Sequence, residues 1–226
     1  AEYIKVAGKQ FKQFVPKNLL KNFTVKGSAG IQNTWADVPW IAFMDTNITK
    51  STQDGYYITY LFSVDMKTVT LSLGQGITNV VNALGQKDAS KEFRNRANFI
   101  ISRIKEGQKH FSTDIPDLKS NLSNSHRPRN YEQTSSYSVT YDLSDLPKEE
   151  KLKFDLVKLI ELYCLLTLRG GLDQDLAPDN YSPPNFGKLS LTEKRKYKYH
   201  RRLEGRNSSN SRMVKRQKGY ICEICN

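Results

Sequence analysis

The sequence predicts an α+β fold, a small twisted β-sheet with flanking helices, and three stretches predict it. Tyr56, Ile58, Tyr60, Phe62 and Val64 alternate with Tyr57, Thr59, Leu61 and Ser63, the period-two pattern of a strand whose two faces meet different surroundings. Residues 88–105 instead space Ala89, Phe93, Ala97, Ile100, Ile101 and Ile104 as one apolar side of a helix, with Gly107 as a stop signal. Residues 148–168, introduced by Pro147, carry a second helical stripe of Leu152, Leu156, Leu159, Ile160, Tyr163 and Leu166.

The remaining elements follow in chain order. Residues 3–14 suit a short helix that ends before Pro16, and Leu19, Leu20 and Phe23 lead into a first strand around residues 24–26. Residues 27–34 are small and polar, a loop that lets a ligand approach the backbone closely. Pro39 has no N–H for a sheet ladder, so Val38-Pro39-Trp40 begins a strand or lies on an edge. Asp54-Gly55 is a turn signal ahead of the Tyr56 strand, and the β-branched run 68–73 returns after Asp65-Met66-Lys67 as the second arm of a hairpin. Residues 112–134 are polar, contain Pro116 and Pro128, and read as a solvated insertion, with His126-Arg127-Pro128-Arg129 as the part able to touch a nucleic-acid backbone. Residues 136–141 are a late strand. Cys164 falls on or beside the buried side of the last helix, where a lone thiol behaves as a small apolar group.

Aromatic residues on a half-buried strand are more often core than contact, which places Trp35, Tyr56, Tyr60 and Phe62 nearer to the core. The 226 residues allow one large domain or two smaller ones, and 38% hydrophobic with 11% aromatic content supports a packed core. A net charge of +12 points to a polyanionic partner. Ten of those twelve charges sit in residues 188–218, where twelve Lys or Arg face only Glu193 and Glu204. Tyr197, Tyr199 and His200 are interleaved there, a composition suited to phosphate contact and equally to a solvated linker. Lys194, Arg195, Lys198, Arg201 and Arg202 are its candidate backbone contacts, with Lys26, Ser28, Asn33, Arg127 and Arg129 as candidates upstream.

No apolar run reaches the length of a membrane span and no signal-peptide pattern opens the chain, so a soluble cytoplasmic protein without a membrane partner is expected. Three cysteines make no disulfide framework and fit a reducing compartment. Catalysis within residues 1–187 has no support: a phosphate-binding glycine loop is missing, and the pairs Asp142/Asp145 and Glu149/Glu150 sit near a helix start, where carboxylates favour the helix dipole. Cys222 and Cys225 form a lone Cys-x-x-Cys, half of a tetrahedral zinc site.

Three motifs then carry a resemblance: Val38-Pro39-Trp40-Ile41-Ala42-Phe43, Gln53-Asp54-Gly55-Tyr56-Tyr57 and Leu71-Ser72-Leu73-Gly74-Gln75-Gly76. With weaker support from residues 88–105 and 137–166, the chain resembles the N-terminal DNA-binding domain family of the methylcytosine-specific restriction GTPase. The resemblance implies a small twisted mixed β-sheet or partial barrel, PUA/EVE-like, that takes a modified base out of double-stranded DNA into an aromatic and aliphatic pocket. Position by position it makes Trp40, Tyr57 and Leu61 pocket residues, with Trp35 a further candidate. Gln32 departs from the pattern, standing where the methylcytosine reader has a tyrosine, and would tune the choice among modified cytosines.

Residues 212–225, a basic stretch running into Cys222 and Cys225, are similar to the start of an HNH nuclease domain of the restriction type. That similarity implies structural zinc and a catalytic divalent metal, magnesium or manganese, with catalytic residues beyond this sequence. The expected organisation is a DNA-reading domain over 1–168, a linker over 169–211 that is basic in its second half, and the beginning of a nuclease domain over 212–226. The expected function is a modification-dependent restriction endonuclease, a possible homodimer; the alternatives are a modified-DNA or RNA binding module without nuclease activity and a general single-strand binder.

Overall fold

Tyr56–Phe62 is the centre of the architecture, a strand buried on both faces along almost its whole length. The computed structural model describes residue 15 and residues 22–31 and 34–173. Five strands, β1 (Phe23–Ile31), β2 (Thr34–Asp45), β3 (Tyr56–Phe62), β4 (Thr68–Gln75) and β5 (Tyr137–Asp142), lie side by side in sequence order. Helix α1 (Thr78–Arg103) and the short helix α2 (Arg127–Thr134) occupy the excursion between β4 and β5, and α3 (Glu149–Leu168) follows the sheet.

The α+β class is as the sequence predicts, but among the described residues the sheet is not mixed. All four pairings are antiparallel and the order is an open meander rather than a partial barrel. Short connections between consecutive strands, such as the one from Phe62 to Thr68, can only join antiparallel neighbours.

One sheet face packs on α3. Ile41 and Phe43 of β2, Tyr56, Ile58 and Tyr60 of β3, Leu71 and Leu73 of β4 and Tyr137 of β5 form one core with Leu156, Leu159, Ile160, Tyr163 and Leu166. Cys164 is buried in the same core, as expected. The Tyr163 ring meets Phe23 and Tyr56 edge-on at 5.8 and 5.4 Å between centroids. Its hydroxyl accepts a hydrogen bond from the Asp45 N–H at 3.2 Å, so one side chain ties the helix to three strands. Tyr141 donates to the buried Asp155 carboxylate at 2.7 Å, and Lys151 pairs with the other carboxylate oxygen at 2.6 Å.

Three stretches differ from the sequence expectation. Residues 27–31 are strand, continuing β1 through a register irregularity between Ser28 and Gly30, where a loop is expected. Helix α1 begins ten residues earlier than residue 88 and is broken at Gly85, whose φ of 75° suits a residue without Cβ. Asn79, Asn82, Gln86 and Lys87 dilute the apolar stripe there, so the first turns carry little periodicity.

The third difference is residues 112–134, which are built into the fold rather than a solvated insertion. Leu118 is fully buried against Val38 and Leu61, and α2 packs on α1, with paired amides of Gln86 and Asn130 at 2.6 Å joining them. Glu132 of α2 accepts from the Leu118 N–H at 2.9 Å and the Ser120 hydroxyl at 2.8 Å, pinning the preceding loop. A polar eight-residue helix has no apolar stripe to betray it. The expected helix over residues 3–14 lies outside the described residues.

Glu132→Ala leaves those donors unmatched in a buried place and is expected to lower stability by about 1–3 kcal/mol. Urea unfolding checks this: the midpoint falls while the slope stays unchanged.

Candidate functional site

The sheet face turned away from α3 is only partly filled by apolar side chains, Ala42 and Met44 beside Tyr57 and Val38 beside Leu61 and Leu118. Register sets its composition: Trp40 stands opposite Leu61 across β2 and β3, and Thr59 and Tyr57 stand opposite Ser72 and Gly74 across β3 and β4. These six residues line a recess on that face. Gln75, Thr52 of the β2–β3 connection, and Tyr131 and Thr134 of α2 complete its lining.

The lining is aromatic, aliphatic or neutral and polar; none of it is charged. Tyr57 is 4% exposed and its hydroxyl donates to the Thr52 carbonyl at 2.7 Å. Burial pushes its phenol far above the ordinary value, and the neighbouring Tyr131 and Asp54 add to that. Burial also raises the Tyr131 phenol, against the lowering effect of the Arg127 charge and hydrogen bond. Both phenols therefore stay neutral where most proteins work. Trp40 is half-buried, packed beside Ala42, Met44 and Tyr57.

The connection carrying Thr52 is clamped to the end of β4. The Gly76 N–H donates to the Gly55 carbonyl at 2.8 Å, and a Cβ at Gly76 would lie 2.2 Å from the Asp54 nitrogen and 2.5 Å from the Gln53 carbonyl carbon. Only glycine allows that approach. An uncharged slot with aromatic and aliphatic walls and neutral hydrogen-bonding groups suits a flat heterocycle rather than a phosphate.

Trp40, Tyr57 and Leu61, which the sequence placed in a pocket, thus share one recess. Trp35 does not: it is 70% exposed near the β1–β2 hairpin end and is neither among the lining residues nor in the core, because the strand there runs beyond its covering elements. Tyr56 and Tyr60 are core residues on the α3 face.

Among the backbone candidates, Arg127 and Arg129 are exposed on α2, next to the Tyr131 wall. Lys26 is exposed on β1, where its ammonium donates to the Lys50 carbonyl at 3.1 Å, and Ser28 is half-buried opposite Trp40. Gln32, Asn33, Lys194, Arg195, Lys198, Arg201, Arg202, Cys222 and Cys225 lie outside the described residues. Among the described residues no cluster of His, Cys, Asp or Glu is arranged to hold a metal, and no helix is long and apolar enough to cross a membrane.

Sequence reasoning missed Thr52, Thr59, Ser72, Gly74, Gln75, Tyr131 and Thr134. Strand parity was enough to find Thr59, and pairing of the two hairpin arms enough to find Ser72 and Gly74. Tyr131 and Thr134 arrive from a distant helix and left no local signal.

Fold and site together define an α+β binding domain built around an aromatic recess with arginines beside it. The family model described as MrcB-like, N-terminal domain, matches residues 2–167, and the chain belongs to that family. Membership associates it with DNA binding in modification-dependent restriction. A comparison with curated proteins finds no match.

Two outcomes test the site's construction. Gly76→Ala is expected to displace the Thr52 connection and to abolish protection of Trp40 fluorescence from a soluble quencher, while far-ultraviolet dichroism is retained. The raised Tyr57 phenol adds stability that is complete below the unfolded-state value of about 10 and is lost as pH rises above it. Urea midpoints measured between about pH 8 and 11 are expected to fall, and to fall less for Tyr57→Phe, which has no proton there to lose.

Proposed function

We propose that residues 1–168 read a modified cytosine in double-stranded DNA by receiving the extruded base in the recess bounded by Trp40, Tyr57 and Leu61. The observation that carries this reading is the meeting of those three side chains on one sheet face around an uncharged slot. Extrusion costs a few kcal/mol of lost stacking and pairing. Stacking on an aromatic side chain returns about 1–3 kcal/mol per base, and burial of a C5 substituent against Leu61 adds to it. Trp40 and Tyr57 are the stacking groups, Leu61 is the aliphatic contact, and Gln32, between β1 and β2, adjusts which modification fits. Lys26, Ser28, Asn33, Arg127 and Arg129 hold the backbone, and the basic stretch of residues 188–218 adds affinity without sequence preference.

In this reading the domain directs a modification-dependent restriction endonuclease. The similarity of residues 212–225 to the start of an HNH domain supports it, with Cys222 and Cys225 as half of a structural zinc site. Magnesium or manganese would serve the nuclease centre, where the metal activates water for phosphodiester cleavage. A homodimer suits cutting of both strands.

Competition titrations at fixed, moderate salt decide the reading. They use otherwise identical duplexes carrying cytosine, 5-methylcytosine, 5-hydroxymethylcytosine or glucosylated cytosine. Wild type is expected to prefer one modified duplex, and Trp40→Ala to lose that preference with a penalty of about 1–3 kcal/mol. Equal, steeply salt-dependent binding of every duplex by both proteins would overturn it in favour of a general nucleic-acid binder.

A further inference from the structure

Helix α2 brings a positive charge to the wall of the uncharged recess. Arg127 and Tyr131 are four residues apart and so share one face of the helix, whereas Arg129 projects from nearly the opposite side. Tyr131 lines the recess, and after burial its phenol is the next cause that raises the Tyr57 phenol, so the two rings bring their hydroxyl ends close together. The Arg127 guanidinium donates a hydrogen bond to the Tyr131 hydroxyl, where its charge opposes the rise that burial imposes. Arg127 is itself exposed, and no carboxylate among the described residues forms an ion pair with it. A guanidinium has several N–H donors in a planar fork, and one bond to a hydroxyl leaves most of them for another group.

We propose that Arg127 is a positioning residue that holds a phosphate flanking the extruded nucleotide, so that the base in the recess and the phosphate joined to it through its sugar are bound as one unit. This rests on the base-reading function above and adds which phosphate Arg127 takes and what that contact does. A slot lined by neutral groups with a cation tethered to its wall matches the two ends of a nucleotide, a flat ring and an anion. Contacts to distant phosphates form whether the base is stacked or extruded, and so do not favour extrusion. A contact formed only when the base is in the recess shifts the balance toward the extruded state by its full strength. Arg127, bonded to a residue of the recess wall, is placed for such a contact, and Arg129 on the other side of α2 is not.

The test uses the 226-residue chain and duplexes that place one 5-methylcytosine opposite an abasic site, so that no pairing is lost on extrusion. A neighbouring 2-aminopurine reports extrusion by its fluorescence. A neutral methylphosphonate replaces, in separate duplexes, the phosphate on the 5′ side of the methylcytosine, the one on its 3′ side, or one remote from it. Wild type is expected to bind one of the two flanking substitutions about tenfold more weakly than the remote one, the value of one charge-assisted contact. Arg127→Gln is expected to bind the all-phosphate duplex about tenfold more weakly than wild type and to lose nothing further at that flanking position. Arg127→Met, which keeps the aliphatic stem, is expected to match it, and Arg129→Gln to keep the wild-type response to the flanking substitution.

Wild type that responds alike to flanking and remote substitutions overturns the role of Arg127, as do penalties of variant and methylphosphonate that multiply; rising 2-aminopurine fluorescence in that experiment leaves base reading standing. Absence of the fluorescence rise with every duplex overturns base reading, and the role of Arg127 with it. A variant that merely loosened α2 would weaken every duplex and keep its response to the flanking methylphosphonate, which separates a structural effect from the proposed contact.

Discussion

Burial of β3 on both faces is the constraint on which this structure depends. In a strand, neighbouring side chains point to opposite sides, so one register gives Tyr56, Ile58 and Tyr60 to the α3 core and Tyr57, Thr59 and Leu61 to the recess. A slip of one residue would exchange the two sets, placing Thr59 in the apolar core and taking Tyr57 and Leu61 out of the slot. The core therefore does more than stabilise the sheet. By holding Ile58, Leu71 and Leu73 against α3, it also fixes which residues the other face presents.

The second face is completed from far away in sequence. Helix α2 delivers Tyr131 and Thr134, and it stays in place through Glu132 on one side and the Gln86–Asn130 amide pair on the other. The β2–β3 connection delivers Thr52, fastened by the close approach of Gly76 and by the Tyr57 hydroxyl. The slot is thus preformed: its walls are positioned by hydrogen bonds within the protein. A preformed slot spares the ordering cost that a mobile one would incur on taking up a ligand.

Charge is distributed by the same logic. The recess is lined by neutral groups, and burial keeps its phenols protonated, so a flat uncharged ring meets no unpaired charge there. Cationic side chains such as Arg127 and Arg129 lie outside, on α2. Under the proposed base-reading function, separation of this kind lets backbone attraction and ring discrimination be set by different residues, the first sensitive to salt and the second not.

The sequence by itself determined the strands β3, β4 and β5, the last helix and the core side of the sheet. The alternation of residues 56–64 and the stripe of residues 148–168 are local periodicities, and each appears in the structure as β3 and α3. The motif resemblance also named Trp40, Tyr57 and Leu61, by matching them position by position to the family's pocket residues. What only the tertiary structure decided is everything that depends on long-range placement: antiparallel pairing throughout, Trp35 out in solvent, and a polar segment turned into a cavity wall. Tyr131 shows why. Its identity was legible, but it lines the recess only because α2 is held there through Glu132 and the Gln86–Asn130 amide pair. Periodicity reports which face a residue takes, whereas a site is made by what other parts of the chain bring to that face.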